Sequence, residues 1–255
     1  MKAPQMETIT IEVDEGIGYM YLDRPEKLNA MNPAMFAELG TAADYLRDEP
    51  EVKVIVITGR GRAFCAGIDT TSLTEFQSTD PHEFRVVVRK IQRNFRAFEL
   101  IEKPVIAMVN GHALGAGTEL CLASDIILAS TEATFGLLEV TLGLVVDLGG
   151  TQRLPRFIGL HKAKELILTG KKIDAGEADR IGLINAMYPP EELKPATLEL
   201  AKHLMSLSPV AVGLCKIALD RSGDSSVESG LEYEAQSQSL AFAYIMEKMR
   251  NAKEK

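Results

Sequence analysis

Two β-type apolar runs, "TITIEV" (8–13) and "IGYMYL" (17–22), flank the turn signal "DEG" near the start of the chain. The next pattern is helical. In "NPAMFAELGTAADYL", Asn32 is placed to cap the helix and Pro33 to occupy its first position. "VKVIVITG" (52–59) and "PVIAMVNG" (104–111) are continuous apolar runs of buried-strand length, and each empties into a glycine-bearing loop. A long amphipathic helix is predicted between them, over 81–101. After the second run, "GAGTELCLA" reads as a helix entered through glycines, "DIILAS" as a short strand, and Thr134 and Phe135 as further β structure. From Gly149 the pattern turns to short helices: "HKAKELILTG", "DAGEADRIG", "PEELKPATLELAKHLMSL" and "PVAVGLCKIALDR". A last amphipathic helix is expected over about 227–248. Strands interleaved with helices in the first two thirds, and helices alone in the last, predict an α/β fold with a helical C-terminal region. No low-complexity segment, Ser/Gly linker or clear repeat divides the chain.

The 255 residues suit one large domain, or a domain with a small appendage, and suffice for a sizeable core. At 46% hydrophobic and 25% charged the composition is that of a globular protein. A net charge of −8 argues against a general nucleic-acid binder, which presents a basic face. A phosphorylated small ligand stays compatible, because a few local Lys or Arg suffice for it. Cys65, Cys121 and Cys215 form no CxxC pair, so they give neither a disulfide framework nor a zinc-type spacing. The chain starts with Glu and Asp where a signal peptide needs an apolar run, and no apolar run approaches membrane-spanning length. The expected setting is the cytoplasm, with neither nucleic acid nor membrane as a partner.

The chemistry is concentrated in three places. "ITGRGRAFCAGIDTTSL" and "VNGHALGAGTEL" follow apolar strands, where α/β folds usually put their ligands. Gly115, Ala116 and Gly117 let a backbone approach a ligand closely, and a helix starting there would aim free N–H groups at negative charge. Two such loops together can make an oxyanion hole. Taken singly, each reads more simply as a tight turn. The third place is "GLLEVTLGLVVDLGGTQRLPRFIG": from Phe135 to Gln152 the charged residues are Glu139 and Asp147 alone. With Glu119, set among Leu120, Cys121, Leu122 and Ala123, they make three acids in apolar surroundings. There a carboxyl has a raised pKa and can trade protons near neutral pH. The plainer alternatives are a solvent-facing helix position for Glu119, and a cap or an ion pair with Arg153 or Arg156 for the other two.

Other chemistries lack their motifs. "GRGRAF" has Phe64 where a dinucleotide loop needs its third glycine, and "LTGKK" lacks the first glycine of a phosphate loop. There is no G-x-S-x-G elbow. His82, His112, His161 and His203 show no metal-ligand spacing. What is left is acid–base chemistry by carboxylates, with no metal and no redox cofactor.

At this point the chain resembles the crotonase family, the enoyl-CoA hydratases and isomerases. The likeness runs through "TIEVDEGIGYMYLDRPEKLNAMN", "GRAFCAGID", "KPVIAMVNGHALGAGTELCLASDIILAS", "ATFGLLEVTLGL", "GGTQRLPRFIG" and "TGKKIDAGEADRIGLIN", nearly the whole chain in the right order. The resemblance implies a crotonase/ClpP-like spiral of ββα units over 1–195 and a C-terminal helical region over 196–255 that makes trimer contacts. It implies a homotrimer or homohexamer. It also implies an acyl-CoA thioester substrate, whose coenzyme A is part of the substrate, with no separate cofactor.

Residue by residue, it places the two oxyanion donors at the backbone N–H groups of Ile68 and Ala116. The family often has Gly at the second position, so Ala116 is a mild, main-chain-neutral departure. Coenzyme A is expected near "RPEKLNA" and "AGIDTT", at Lys27, Leu28, Ala30, Ala66, Asp69, Thr70 and Thr71, with Arg24, Arg60 and Arg62 as further cations for its phosphates. Glu119 and Glu139 match the two glutamates that add water across an α,β double bond. Asp147 departs from that pattern: hydratases typically carry glycine there, in "PGAGGTQRL". An aspartate resembles the dienoyl-CoA isomerases, with "E-V-x-x-G-L-x-x-D", although those usually have Asp at the position of Glu119. Hydration is the direct expectation, dienoyl isomerisation by Glu139 and Asp147 the alternative. A non-catalytic acyl-CoA-binding protein is the alternative of another class.

Overall fold

The computed structural model describes residues 3–75 and 80–253. Strands β1 (Ile9–Asp14) and β2 (Ile17–Leu22) form an antiparallel hairpin. Its turn residues Glu15 and Gly16 both have positive φ, the conformation that matches the twist of a tight hairpin. Helix α1 (Pro33–Asp48) starts as its sequence predicts: the Asn32 side chain accepts from the Met35 N–H at 2.9 Å, and Pro33 fills the first position. Strand β3 (Val54–Gly59) is buried throughout and is followed by the short strand β4 (Ala63–Cys65). Helix α2 (Pro81–Leu100) is capped by the Asp80 carboxylate, which accepts from the His82 and Glu83 N–H groups.

The same succession then recurs. Strand β5 (Val105–Val109) leads to short β6 (His112–Leu114) and helix α3 (Ala116–Leu122). Strand β7 (Ile126–Ser130) leads to short β8 (Thr134–Gly136), a 3-10 turn over Glu139–Leu142, and helix α4 (Gly150–Ile158). Helix α5 (Leu160–Thr169), strand β9 (Ile173–Asp174), helix α6 (Ala175–Arg180) and strand β10 (Ala186–Tyr188) complete the core. Helices α7 (Pro190–Ser206), α8 (Pro209–Ser222) and α9 (Val227–Lys253) end the chain. The last runs about a turn further than its sequence pattern suggests.

The long strands form a six-stranded sheet in the order β1-β2-β3-β5-β7-β10, parallel except at β1. The short strands form a second sheet, β4-β6-β8-β9, parallel through its first three members. Each turn of the chain is therefore long strand, short strand, helix: a spiral. The sequence shows no repeat because only backbone geometry recurs, not side chains. The apolar runs 52–59 and 104–111 each hold one long strand, as their pattern predicts, and the chain turns at their ends, over Gly59–Arg62 and Asn110–Gly111, into the short strands. Asn110 enforces the second break: its side-chain amide donates to the Gly59 and Gly61 carbonyls and its oxygen accepts from the Gly59 N–H. The main core, with Phe64, Phe95, Phe98 and Phe135 fully buried, lies between the sheets and under α1–α3. A second cluster, including Tyr19, Val54, Val56 and Ile106, packs under α7. Helix α8 docks through buried Lys216, which pairs with Asp125 at 2.9 Å and donates to the Phe98 carbonyl. Helix α9 exposes Leu231, Leu240, Phe242, Ile245, Met246 and Met249. No single helix among the described residues is long and apolar enough to cross a membrane.

Candidate active site

The spiral sets its short strands side by side, and that brings two distant glycine loops together. β4 pairs with β6, Cys65 opposite Ala113. The residues following each strand are thus neighbours: Gly67 after one, Gly115 after the other. A Cβ on Gly67 would fall 2.9 Å from the Leu114 carbonyl oxygen, and Gly67 also has φ +99°. Gly115 has φ +50°, and a Cβ there would meet the Glu139 carboxylate at 3.1 Å. Only glycine fits both demands.

Two N–H groups emerge at this junction. Ile68 bridges Met31 in parallel fashion, but the bridge runs from the Met31 N–H to the Gly67 carbonyl (2.7 Å) and from the Asp69 N–H to the Met31 carbonyl (2.9 Å). The N–H of Ile68 itself points away from that ladder. Ala116 is the first residue of α3, so its N–H lacks an intrahelical acceptor. Neither N–H meets a protein acceptor among the described residues.

All three acids gather beside the junction. Glu119 is on α3, every residue of which is buried, and is itself 1% exposed. Its place is not the solvent-facing helix position that a lone Glu usually takes. Its Oε1 accepts from the Leu148 N–H at 2.9 Å and the Gly150 N–H at 2.8 Å. Burial drives this carboxyl up to about 8; the charges of Glu139 and Asp147 push the same way, and the two amides oppose them. Glu139 opens the 3-10 turn over the Gly115 backbone. Its Oε2 is buried and has no hydrogen-bond partner among the described residues. Burial raises its pKa as well, with a further push from Asp147. Asp147, half-buried in the loop before α4, is raised by burial. The ion pairs that the sequence leaves open for these acids do not form. Arg153 pairs with Glu99 at 2.6 Å and Arg156 with Asp224 at 2.8 Å.

The residues expected at coenzyme A also converge. The Ala66 N–H donates to the Leu28 carbonyl at 3.0 Å, which ties the "RPEKLNA" loop to the "CAG" loop. Leu28 and Asn29 hold positive φ. Arg24 donates to the Ala30 carbonyl and pairs with Asp69 at 3.0 Å. Asp69, 6% exposed, also accepts from the Thr71 N–H and hydroxyl (3.1 and 2.6 Å). The Arg24 and Asp69 charges thus answer each other inside this corner, and Asp69 buttresses it. Arg60 pairs with Glu12 and lies over the Tyr21 ring at 3.7 Å. Lys27, Arg62, Thr70 and Thr71 are exposed, and among the described residues Lys27 and Arg62 have no ion-pair partner. No group of three or more His, Cys, Asp or Glu among the described residues is arranged to hold a metal ion.

The reading of the sequence overlooked the surroundings of Glu119: the Leu148 and Gly150 amides, and Gln92 and Arg153 behind them. The run "GGTQRL" holds Gly150 and Arg153 without a catalytic signal of its own, and neither Leu148 nor Gln92 stands out from its neighbours in the sequence.

The family model described as "Enoyl-CoA hydratase/isomerase" matches residues 12–254. The chain is 39% identical to the crotonyl-CoA hydratase of Syntrophomonas wolfei, over 93% of this chain and 90% of that protein. It is 35% identical to the peroxisomal Δ(3,5)-Δ(2,4)-dienoyl-CoA isomerase of Arabidopsis thaliana, over 90% and 86%. A protein of Thermobifida fusca crystallised in complex with CoA superposes with a TM-score of 0.86 at 32% identity, covering 96% of this chain and 99% of that one. A glycine-lined junction with two outward N–H groups, flanked by buried carboxyls in a two-sheet spiral, agrees with these matches. The chain belongs to the enoyl-CoA hydratase/isomerase family, the crotonases.

Proposed function

We propose that the protein adds water across the α,β double bond of an enoyl-CoA thioester. The observation that carries this reading is the pairing of a doubly hydrogen-bonded, buried Glu119 with a Glu139 carboxyl whose buried Oε2 meets no hydrogen-bond partner among the described residues, beside the glycine junction. The thioester oxygen sits between the Ile68 and Ala116 N–H groups. Glu139, which overlies Gly115, faces the neighbouring α-carbon. Glu119 takes a proton from water as the water oxygen bonds to the β-carbon, and the electron pair moves through the double bond to the thioester oxygen. The resulting enolate is held by the two N–H groups, and Glu139 gives its proton to the α-carbon. Water is added, and the proton gained by Glu119 replaces the one lost by Glu139 through exchange with solvent.

Burial raises Glu119 to about 8, so the cycle starts from the fraction of molecules in which Glu119 is ionised, and hydration should speed up as pH rises toward 8. Three desolvated acids do not all ionise at neutral pH. With the proton on Glu139, the repulsion that Glu139 exerts on Glu119 disappears, and the Leu148 and Gly150 amides favour the Glu119 anion. The exposed Lys27 and Arg62 are the cations offered to the phosphates of coenzyme A, while Leu28, Ala30, Ala66, Thr70 and Thr71 supply the surface against which it lies. The apolar side of α9 supports assembly of copies through the C-terminal helices into a trimer or hexamer, which sedimentation equilibrium decides.

Asp147 favours a second reading. It shares the acid cluster with Glu139, and the sequence is 35% identical to a dienoyl-CoA isomerase. There one of the pair removes a proton from the α-carbon of a 3,5-dienoyl-CoA and the other returns one at the far end of the diene. The two readings separate when the purified protein is given a 2-enoyl-CoA and, separately, a 3,5-dienoyl-CoA, with mass and ultraviolet absorbance followed together. Gain of one water with loss of the enoyl band is the expected result. An unchanged mass with a longer-conjugated band from the dienoyl substrate alone means isomerisation instead.

A further inference from the structure

Behind the acids, the segment 147–150 is held from two sides. Its amides face inward: the Leu148 and Gly150 N–H groups both reach Glu119 Oε1. Its carbonyls face outward. The Asp147 carbonyl accepts from Gln92 Nε2 at 2.6 Å, and the Leu148 carbonyl accepts from Arg153 Nη1 at 2.8 Å. The Asp147 carbonyl and the Leu148 N–H belong to one planar trans peptide and point in opposite directions. That single plate is therefore clamped between Gln92 on α2 and Glu119 on α3.

Arg153 is fixed in turn. Its Nε and Nη2 form a two-pronged pair with Glu99 on α2, at 2.6 and 2.8 Å, and its side chain is 14% exposed. A Cβ on Gly149 would sit 1.8 Å from Nη1, so glycine is needed there for the guanidinium to reach the Leu148 carbonyl. Gln92 thus sets the direction of the Leu148 donor, and Arg153 holds the next peptide, Leu148–Gly149, which leads directly into the Gly150 donor.

We propose that Gln92 and Arg153 are positioning residues that hold the 147–150 segment so that two backbone amides meet Glu119. Both side chains act through the 147–150 backbone. The clamp's effect on turnover rests on the hydratase reading above; its effect on Glu119 does not. Without the clamp the segment relaxes, the Glu119 anion loses hydrogen bonds, and its carboxyl holds a proton to higher pH. The charged groups around the clamp are Glu139 and Asp147 facing Glu119, and Glu99 and Asp220 facing Arg153.

The test uses the full-length protein and the variants Gln92→Leu and Arg153→Lys. The second keeps a positive charge but loses the fork. Glu119 titration is followed by its carboxylic-acid infrared band, with Glu119→Gln as the blank. The expected result is a titration point raised by roughly one pH unit in each variant. On an enoyl-CoA, kcat falls about tenfold with KM within about twofold, and the pH profile moves with the band. A brace that serves stability alone lowers the melting temperature and leaves band and profile in place, which overturns the proposal. Gln92 is exposed, so Gln92→Leu folds and decides the matter if Arg153→Lys does not. A shifted band without any hydration by the wild-type protein upholds the clamp and rejects the hydratase reading.

Discussion

The two glutamates of the acid cluster come from regions built in opposite ways. Glu119 lies on a seven-residue helix that is buried on every side, and its carboxyl is met by two backbone amides. Glu139 opens a short 3-10 turn in which no residue is fully buried, and the chain beyond it exposes Val140, Leu142, Leu144 and Val145. Its Oε2 meets no donor among the described residues. One region holds a carboxyl in a single direction. The other presents a carboxyl, with apolar residues beside it, to whatever ligand arrives. Identical side chains thus differ in what stabilises their charge. That difference separates a group suited to accept a proton from water from one suited to deliver a proton to carbon.

The strongest way to break this contrast is to neutralise each acid. Glu139→Gln should retain the fold and lower hydration about a thousandfold, because a positioned acid or base is worth that order. Glu119→Gln should lose activity comparably, and steady-state rates with a 2-enoyl-CoA check both. If either variant hydrates at the wild-type rate, the division of roles fails.

Next in size is the glycine junction that Glu139 overlies. Gly115→Ala places a Cβ 3.1 Å from the Glu139 carboxylate at φ +50°. It should cost about a hundredfold in kcat/KM by moving both Glu139 and the Ala116 N–H. Circular dichroism and thermal melting would separate this from unfolding, since strain of this kind costs about 1–3 kcal/mol.

A third measurement sharpens the contrast through stability. Glu119 rises from 4.5 when unfolded to about 8 when folded, so the native state binds more protons than the unfolded one between those values. Stability from this group is complete below about 4.5 and declines as pH rises through about 8. Burial of Glu139 and Asp147 acts with the same sign. Urea unfolding across this range should show the wild type losing a few kcal/mol that Glu119→Gln largely keeps. Equal slopes would mean that Glu119 is not desolvated.

The smallest effect is expected at Asp147. Asp147→Asn keeps the backbone contact to Gln92 and removes one repelling charge, so hydration should change by less than about tenfold. Isomerisation of a 3,5-dienoyl-CoA, if present, should vanish. A hydration loss equal to that of Glu139→Gln would move Asp147 into the hydration chemistry.

Much of this architecture was legible in the chain. The apolar runs at 52–59 and 104–111, the Asn32–Pro33 helix start and the glycines at 115 and 117 each carry a local physical signal, and ordered motifs along nearly all of the chain marked the family. The second sheet was not legible, because β4, β6 and β8 are three residues each and take their stability from one another rather than from local pattern. Arg24 and Asp69 show another limit. The resemblance expects both near coenzyme A, and only the fold shows that they pair with each other across 45 positions.

The sequence by itself determined which groups were available: three acids in apolar surroundings, two glycine loops and no metal-ligand spacing. Those are properties of residue type and short spacing. Only the tertiary structure decided which of the acids receives backbone donors. The Leu148 and Gly150 amides lie 29 and 31 residues from Glu119, and the Gln92 amide that orients the first lies 55 residues from Asp147. A hydrogen bond depends on where atoms sit within a few tenths of an ångström. Over such separations, position is set by sheet register and helix packing, which no stretch of this chain specifies alone.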